Sequence, residues 1–164
     1  MIARAEPRPH GENAAFAVRE RVRWSDVDAA GIVCYGSFLR FFELAESEMF
    51  RAAGVPSTLQ ERAGVWLVRR RVECDFLRPA RLDDELEARV AVEAMGRTSL
   101  SLHFEIREAE GGEVSVRSRY TLVAVDRATL RPVPLPDEMR AALRRFQRLP
   151  ASTARSRAPH PGRV

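Results

Sequence analysis

The chain has 164 residues, of which 45% are apolar, so it is long enough to bury one compact core. Its 27 basic residues are all arginine, and 23 acidic residues interleave with them to leave a formal net charge of +4, a balance that argues against nucleic-acid binding. No apolar run approaches the roughly 20 residues that cross a bilayer, and Met1 to Ala15 lack the apolar centre of a secretory signal. We therefore expect a cytoplasmic protein with no membrane span.

Both ends of the chain differ in composition from its centre. Residues 1–14 and 150–164 are rich in Pro, Ala, Ser and Arg and show no hydrophobic periodicity. Such segments cannot bury enough apolar surface to become ordered. We predict a disordered N-terminal arm, one domain over residues 15–149, and a disordered C-terminal tail.

The first ordered elements are a strand and a long helix. Apolar residues alternate from Phe16 to Trp24, which predicts a strand, and they then recur at three- and four-residue intervals, which predicts an amphipathic helix from Gly36 to Ala53. Ser37 is a candidate cap for its start, and Gly54 is a stop signal. Because apolar residues lie on more than one side of this helix, we expect a sheet to enclose it.

A run of strands follows, without a second long helix. The alternation predicts four strands and then a short helix at Asp137 to Gln147; the strands are Val65 to Phe76, Leu86 to Ala94, Leu100 to Ile106 and Val114 to Val125. A long helix followed by an antiparallel run of strands indicates an α+β fold, with a sheet of about five strands wrapped around a central helix.

Two carboxylates and a glycine precede the helix. Asp26 and Asp28 lie in the segment DVDAAGIVCY, which runs from Asp26 through Gly31 to Tyr35. A helix start offers unpaired N–H groups that can stabilise an oxyanion, and a nearby carboxylate can act as a base or a nucleophile. These are the groups that acyl transfer requires.

That segment, followed by Phe41-Phe42-Glu43, resembles the signature of the 4-hydroxybenzoyl-CoA thioesterase family. The segment FLRPARLDDEL, from Phe76 to Leu86, matches the family's usual strand, turn and strand. The resemblance covers about Val18 to Val125. It implies the hotdog fold and an enzyme that hydrolyses acyl-CoA or acyl-carrier-protein thioesters. We expect neither a cofactor nor a metal, since the two cysteines have no CxxC partner and no clustered histidines.

The resemblance also implies roles for individual residues. Asp28 falls at the catalytic carboxylate, acting as nucleophile or as general base, and Tyr35 falls where a backbone N–H contacts the thioester carbonyl. Gly31 lets the chain turn close to the substrate. Asp26 is the rival carboxylate, and its alternative role is to hold backbone N–H groups in the loop.

Further positions are candidates for substrate binding. An apolar acyl pocket is expected from the helix start and a neighbouring strand, with Val33, Trp66 and Leu67, and the turn carrying Arg97 and Thr98 matches the place where the family holds the nucleotide phosphates. The family also builds each site from two chains, so a homodimer or homotetramer is expected. Arg70 interrupts an apolar strand row and is predicted to find a partner across a subunit interface.

Other reactive side chains are assigned plainer roles. His103 alternates with serines on a polar strand face, Cys34 has no basic partner nearby in sequence, and Glu43 is expected to make a structural hydrogen bond on a buried helix. There is no GxSxG elbow for a serine hydrolase. Two alternatives to the thioesterase stay open: a hotdog dehydratase or hydratase, and a non-catalytic acyl-CoA-binding module.

Overall fold

A computed structural model describes residues 15–55 and 61–147 of the protein. The predicted disordered ends therefore lie outside the described residues, as do residues 56–60. In chain order the structure has β1 (Phe16–Arg21), α1 (Phe38–Ala52), β2 (Val65–Phe76), β3 (Glu85–Met95), β4 (Ser99–Glu108), β5 (Val114–Asp126) and α2 (Asp137–Leu143). No helix in this part of the chain is both long and apolar enough to cross a membrane.

The five strands form one antiparallel sheet in the order β1-β3-β4-β5-β2. The helix α1 packs across β1 and β3 on one face of this sheet, which we call the helix side; the opposite face is the outer side. This arrangement confirms the predicted α+β class and hotdog architecture. The edge strands β1 and β2 are the two strands that flank α1 in sequence.

The core lies between α1 and the helix side of the sheet. The ring of Phe42 lies 5.2 Å from that of Phe104 and 5.6 Å from that of Tyr120, measured between centroids, and all three residues are almost fully buried. Burial of side chains this large supplies much of the hydrophobic stabilisation of a small domain. The aromatic stripe of α1 therefore fixes the helix on the sheet.

The start of α1 differs from the prediction. A 3-10 helix at Tyr35–Ser37 precedes α1, and the Ser37 side chain makes no capping hydrogen bond. The preceding strand also ends earlier than predicted, because Trp24 lies in a 3-10 turn, with 78% of its surface exposed. The sheet of a single chain does not enclose α1 fully, because one side of the helix, which includes Leu39 and Glu43, is exposed.

A β-bulge in β2 corrects the interpretation of Arg70. The register against β5 shifts between Arg69 and Arg71, which leaves Arg70 as the extra residue. Because of the shift, Trp66 and Val72 lie on opposite faces of the sheet rather than in one apolar row. Arg70 is exposed, and it forms no ion pair with any residue in the described ranges.

Candidate active site

The loop between β1 and α1 presents Asp28 on a tight turn. The Asp28 N–H donates to the carbonyl of Ile32 at 2.9 Å, its carbonyl accepts the N–H of Gly31 at 2.9 Å, and its Oδ1 accepts the N–H of Ala30 at 2.8 Å. Gly31 has a φ of +73°, a conformation that side-chain-bearing residues rarely adopt. Asp28 is exposed, and the turn holds only its Oδ1. Its Oδ2 makes no hydrogen bond to a described residue.

The loop leads directly into the start of the 3-10 helix. The N–H of Cys34 is held by the carbonyl of Asp26 at 2.9 Å, and the N–H of Ser37 returns to the carbonyl of Cys34 at 2.9 Å. Within the described residues, no such backbone bond takes up the N–H of Tyr35 or Gly36. Unpaired N–H groups at a helix start carry partial positive charge and can hold an anionic oxygen.

The second carboxylate of the motif, Asp26, is buried and fully engaged. Its two oxygens accept hydrogen bonds from Arg40 at 3.1 and 2.6 Å, and Oδ2 also accepts the N–H of Arg23 at 2.8 Å. Burial opposes ionisation, but the hydrogen bonds and charges of Arg40 and Arg23 outweigh it and lower the pKa of Asp26. With both oxygens occupied, Asp26 serves the loop structure and Asp28 is the carboxylate open to a substrate.

Four predicted site residues lie at the end of the sheet opposite the Asp28 loop: Trp66, Leu67, Arg97 and Thr98. The Asp28 loop is joined to the segment before β3, since the N–H of Val33 donates to the carbonyl of Ala80 at 2.8 Å. The turn with Arg97 and Thr98 follows the last residue of β3, and the eleven residues of that strand place its two ends about 33 Å apart at the usual strand rise. Trp66 and Leu67, at the start of β2, share the far end. One chain therefore does not bring the two groups of residues together.

The turn between β3 and β4 is held by the C-terminal segment. Arg140 Nη2 donates to the carbonyl of Gly96 at 2.8 Å, and the carbonyl of Arg97 accepts the N–H of Leu135 at 2.8 Å. A Cβ on Gly96 would stand 2.6 Å from Ser99 Oγ, so glycine permits this close turn. These backbone contacts leave the Arg97 side chain exposed at the tip.

Sequence patterns missed a part-buried ion pair between α1 and β2. Glu43 is exposed and makes no hydrogen bond to a described residue, so its predicted structural role is wrong. Glu46 is the buried acid of α1, and its Oε2 accepts a hydrogen bond from Arg69 Nη2 at 2.8 Å. Burial raises the pKa of Glu46, and the charge of Arg69 only partly offsets it. An acid four residues after Phe42, on the apolar stripe, was the available signal.

Other polar groups do not form a second catalytic centre. His103 Nε2 lies 3.8 Å from Glu105 on the outer side of the sheet, away from α1. A cleft of about 310 Å³ near the Asp28 end of the sheet includes neither Asp28 nor Tyr35. It is lined by Arg78, Pro79, Arg81, Asp84, Leu86, Glu108, Glu113 and Ser115. Across the described ranges, His, Cys, Asp and Glu side chains form no cluster of three or more that could hold a metal ion.

Comparison with known proteins identifies the family. A family model described as the thioesterase-like superfamily matches residues 22–143. The chain belongs to this superfamily. The acyl-CoA thioester hydrolase YbgC of Escherichia coli O6:H1 is 33% identical over 116 residues, which are 71% of this chain and 86% of that protein. The acyl-CoA thioesterase YbgC of Haemophilus influenzae is 32% identical over 129 residues, or 77% and 93% of the two chains.

Solved structures in the superfamily share the fold. A thioesterase from Thermus thermophilus, crystallised with coenzyme A and Zn, is 34% identical and superimposes with a TM-score of 0.67 over 78% of this chain and 96% of that one. A 1,4-dihydroxy-2-naphthoyl-CoA thioesterase from Synechocystis, at 22% identity, has a TM-score of 0.73 over 79% and 95% of the chains. The latter likeness shows the fold alone.

Proposed function

We propose that the protein hydrolyses acyl-CoA thioesters, with Asp28 as the catalytic carboxylate and the backbone N–H of Tyr35 as a donor to the thioester carbonyl. The observation that carries this proposal is the pairing, within one short loop, of an exposed carboxylate and a helix start with unpaired N–H groups. The YbgC relatives are named as acyl-CoA thioesterases, which supports the same substrate class.

The chemistry requires two contributions. A water molecule, or the Asp28 carboxylate itself, attacks the carbonyl carbon, and negative charge develops on the carbonyl oxygen. The N–H of Tyr35 stabilises that oxygen, which is the usual way to lower the barrier of acyl transfer. The C–S bond then breaks, and the thiolate of coenzyme A takes up a proton. Gly31 and Val33 shape the turn beside the reacting group.

A homodimer with sites shared between two chains completes this proposal. Strand β2 is a long edge strand whose partner within the described residues is β5, and Val72 and Phe76 are 44% and 51% exposed on it. Antiparallel pairing of two β2 strands would set the Asp28 end of one chain beside the Arg97 end of the other. Trp66, Leu67, Arg97 and Thr98 of the second copy would then bind the acyl and nucleotide parts of the substrate.

Two further parts of the proposal concern extent and location. We assign turnover to residues 15–149, because the loop, the helix start and the β3–β4 turn all lie inside that range. We place the enzyme in the cytoplasm. Both cysteines, Cys34 and Cys74, are free thiols, which is typical of proteins in a reducing compartment.

The direct test is Asp28→Asn, assayed against a panel of CoA thioesters. The amide keeps the shape of the turn but cannot act as a nucleophile or base, so kcat should fall about a hundredfold or more. Asp126→Asn is the matched control, because Asp126 Oδ1 also accepts backbone N–H groups, from Ala128 and Thr129, in a turn. A kcat for Asp28→Asn equal to that of the control would contradict the assignment of Asp28, whereas binding of acyl-CoA without turnover by the wild-type protein would favour a binding module.

A single turnover in 18O-labelled water tests whether Asp28 is the nucleophile. Attack by the carboxylate forms a mixed anhydride, and water that then attacks the Asp28 carbonyl leaves labelled oxygen in Asp28 and releases an unlabelled first product. General-base catalysis puts the label in the first product molecule and leaves Asp28 unlabelled, and so does an anhydride that water opens at the acyl carbonyl. Label in the Asp28 peptide therefore identifies the nucleophilic role, and in its absence trapping of the acyl-enzyme at short times separates the remaining two routes.

A further inference from the structure

Arg40, in the first turn of α1, makes the densest set of polar contacts around the Asp28 loop. Its Nε and Nη2 donate to the two oxygens of Asp26 at 3.1 and 2.6 Å, and Nη2 also reaches the carbonyl of Arg21 at 3.4 Å. Its Nη1 lies 3.5 Å from Glu20, and the guanidinium stacks 4.3 Å from the centroid of the buried Phe41 ring. One side chain thus joins α1 to the end of β1 and to the loop.

The residue that Arg40 holds is itself a junction of the proposed site. The Asp26 carboxylate accepts the N–H of Arg23 on the strand side, and its carbonyl accepts the N–H of Cys34 on the helix side. Cys34 immediately precedes Tyr35, and Asp26 lies two residues before Asp28. The position of Asp26 therefore sets both the turn that carries the carboxylate and the N–H donors at the helix start.

No second side chain joins the loop to the helix in this way. Across residues 15–55 and 61–147, no other side-chain hydrogen bond or ion pair connects the loop at 24–34 with α1. The other polar contacts of the loop are internal, run to Arg23 and to residues 80 and 81, or join Cys34 to Ser37 in the 3-10 turn before α1. Without Arg40, the loop would stay fixed to the segment before β3, and its polar connection to the helix would be left to the backbone of the 3-10 turn at Tyr35–Ser37.

We infer that Arg40 is a positioning residue for thioester hydrolysis: through its bidentate pair with Asp26, it fixes the Asp28 carboxylate relative to the Tyr35 N–H. This inference rests on the proposed function of Asp28 and Tyr35. The geometry requires arginine, because a planar guanidinium can meet both oxygens of a carboxylate while stacked on an aromatic ring, and a lysine ammonium cannot. Misplacement of reacting groups by about 1 Å can cost up to a hundredfold in rate.

The test is Arg40→Lys, which keeps the charge beside the buried carboxylate and so favours a folded variant. We expect kcat per folded molecule to fall about tenfold while KM for acyl-CoA changes less than about twofold, because substrate contacts remain and only alignment is lost. Hydrogen exchange of the Cys34 amide should become faster, while that of Leu102 in the sheet core stays unchanged. Exchange at Cys34 reports the loop independently of activity.

Two comparisons make the result specific. Arg51→Lys is the control, because Arg51 pairs with Glu48 at the far end of the same helix, and it should leave kcat and Cys34 exchange unchanged. Adding Arg40→Lys to Asp26→Asn should cost no more activity than Asp26→Asn alone, since Arg40 acts through Asp26. Wild-type kcat and Cys34 exchange in Arg40→Lys, or additive losses in the double variant, would overturn the inference. Absence of thioesterase activity in the wild type would overturn the proposed function instead. Cys34 exchange would then still test whether the Arg40–Asp26 pair holds the loop.

Discussion

The exposed Arg97 side chain, at the tip of the β3–β4 turn, gives a prediction about substrate affinity. Arg97→Ala should raise KM for acyl-CoA about tenfold and leave kcat nearly unchanged, because a phosphate contact far from the thioester stabilises ground state and transition state equally. A truncated thioester that lacks the nucleotide should show almost no change. Steady-state kinetics on both substrates measure the effect.

Arg131→Ala is the matched control for that experiment, since Arg131 is another exposed arginine near the same end of the sheet, in the segment after β5. It should alter neither substrate's KM. An equal rise in KM for the full and truncated thioesters in Arg97→Ala would exclude nucleotide binding at this residue and would make its role structural.

Individual residues were predictable where the motif alone decides their position. Asp28, Gly31 and Tyr35 are close in sequence, so a turn that enters a helix places all three in one loop. The partners of buried charges were not predictable in this way. Asp26 meets Arg40 across 14 positions and Glu46 meets Arg69 across 23, so both pairs depend on how the helix packs rather than on local pattern.

At the level of one strand, β4 carries an acid whose ionisation should contribute to stability. On the outer side of the sheet, the His103 imidazole and the guanidinium groups of Arg117 and Arg107 hold the pKa of Glu105 at about 2, against an ordinary value of 4.5. A carboxyl with a lowered pKa stabilises the fold fully above pH 4.5, and this contribution is lost as pH falls towards 2. Because Arg117 lies on β5, its ion pair with Glu105 stabilises the contact between β4 and β5.

Glu105→Gln should therefore lower the free energy of unfolding by roughly 2 kcal/mol at neutral pH, a value reduced for solvent screening at a partly exposed group. Urea unfolding at several pH values should show the difference from wild type shrinking between pH 4.5 and 2. Glu113→Gln, which removes an exposed pair with Arg78, should change stability little at any pH. A Glu105→Gln difference that does not vary with pH would contradict the assignment.

The elements themselves were predicted to within a few residues, because alternation along a half-buried strand is a local signal. The exceptions have local physical causes. The helical stripe begins at Phe38 as predicted, but a 3-10 turn precedes it and Ser37 does not cap it. The bulge at Arg70 places the β2 residues before it on the opposite face from the one that simple alternation predicts. Neither a 3-10 start nor a bulge leaves a distinct hydrophobic period in the sequence.

For the whole molecule, the exposed β2 edge predicts a dimer that is required for activity. Val72→Lys places a charge on the helix side of this edge, so it should yield a monomer whose thioesterase activity is lost at the same concentration. Light scattering on a sizing column, together with an assay of each fraction, measures both properties. The expected loss follows from the separation of Asp28 and Arg97 at opposite ends of one sheet.

Leu130→Lys is the control, because Leu130 is 64% exposed in the loop after β5 and is not part of the β2 edge strand. It should leave both assembly and turnover unchanged. A wild-type monomer with full activity, or a monomeric Val72→Lys variant that still turns over CoA thioesters, would refute the shared site. Arg70, beside Val72 on the same edge, is the candidate to pair with an acid of the second copy.

The strand order also determines when a chain leaving the ribosome can fold. The two strands made first, β1 and β2, pair with β3 and β5, so neither has a partner when synthesis has reached Phe76. The nascent chain must then wait through about 50 more residues, which takes several seconds at typical elongation rates, before β5 is complete. During that interval the aromatic stripe of α1 has at most part of the sheet to cover it, because β5 and its pairing with β2 are still missing. Chaperone contact should therefore be strongest on the half-made polypeptide, and it should end once the β5 segment has emerged.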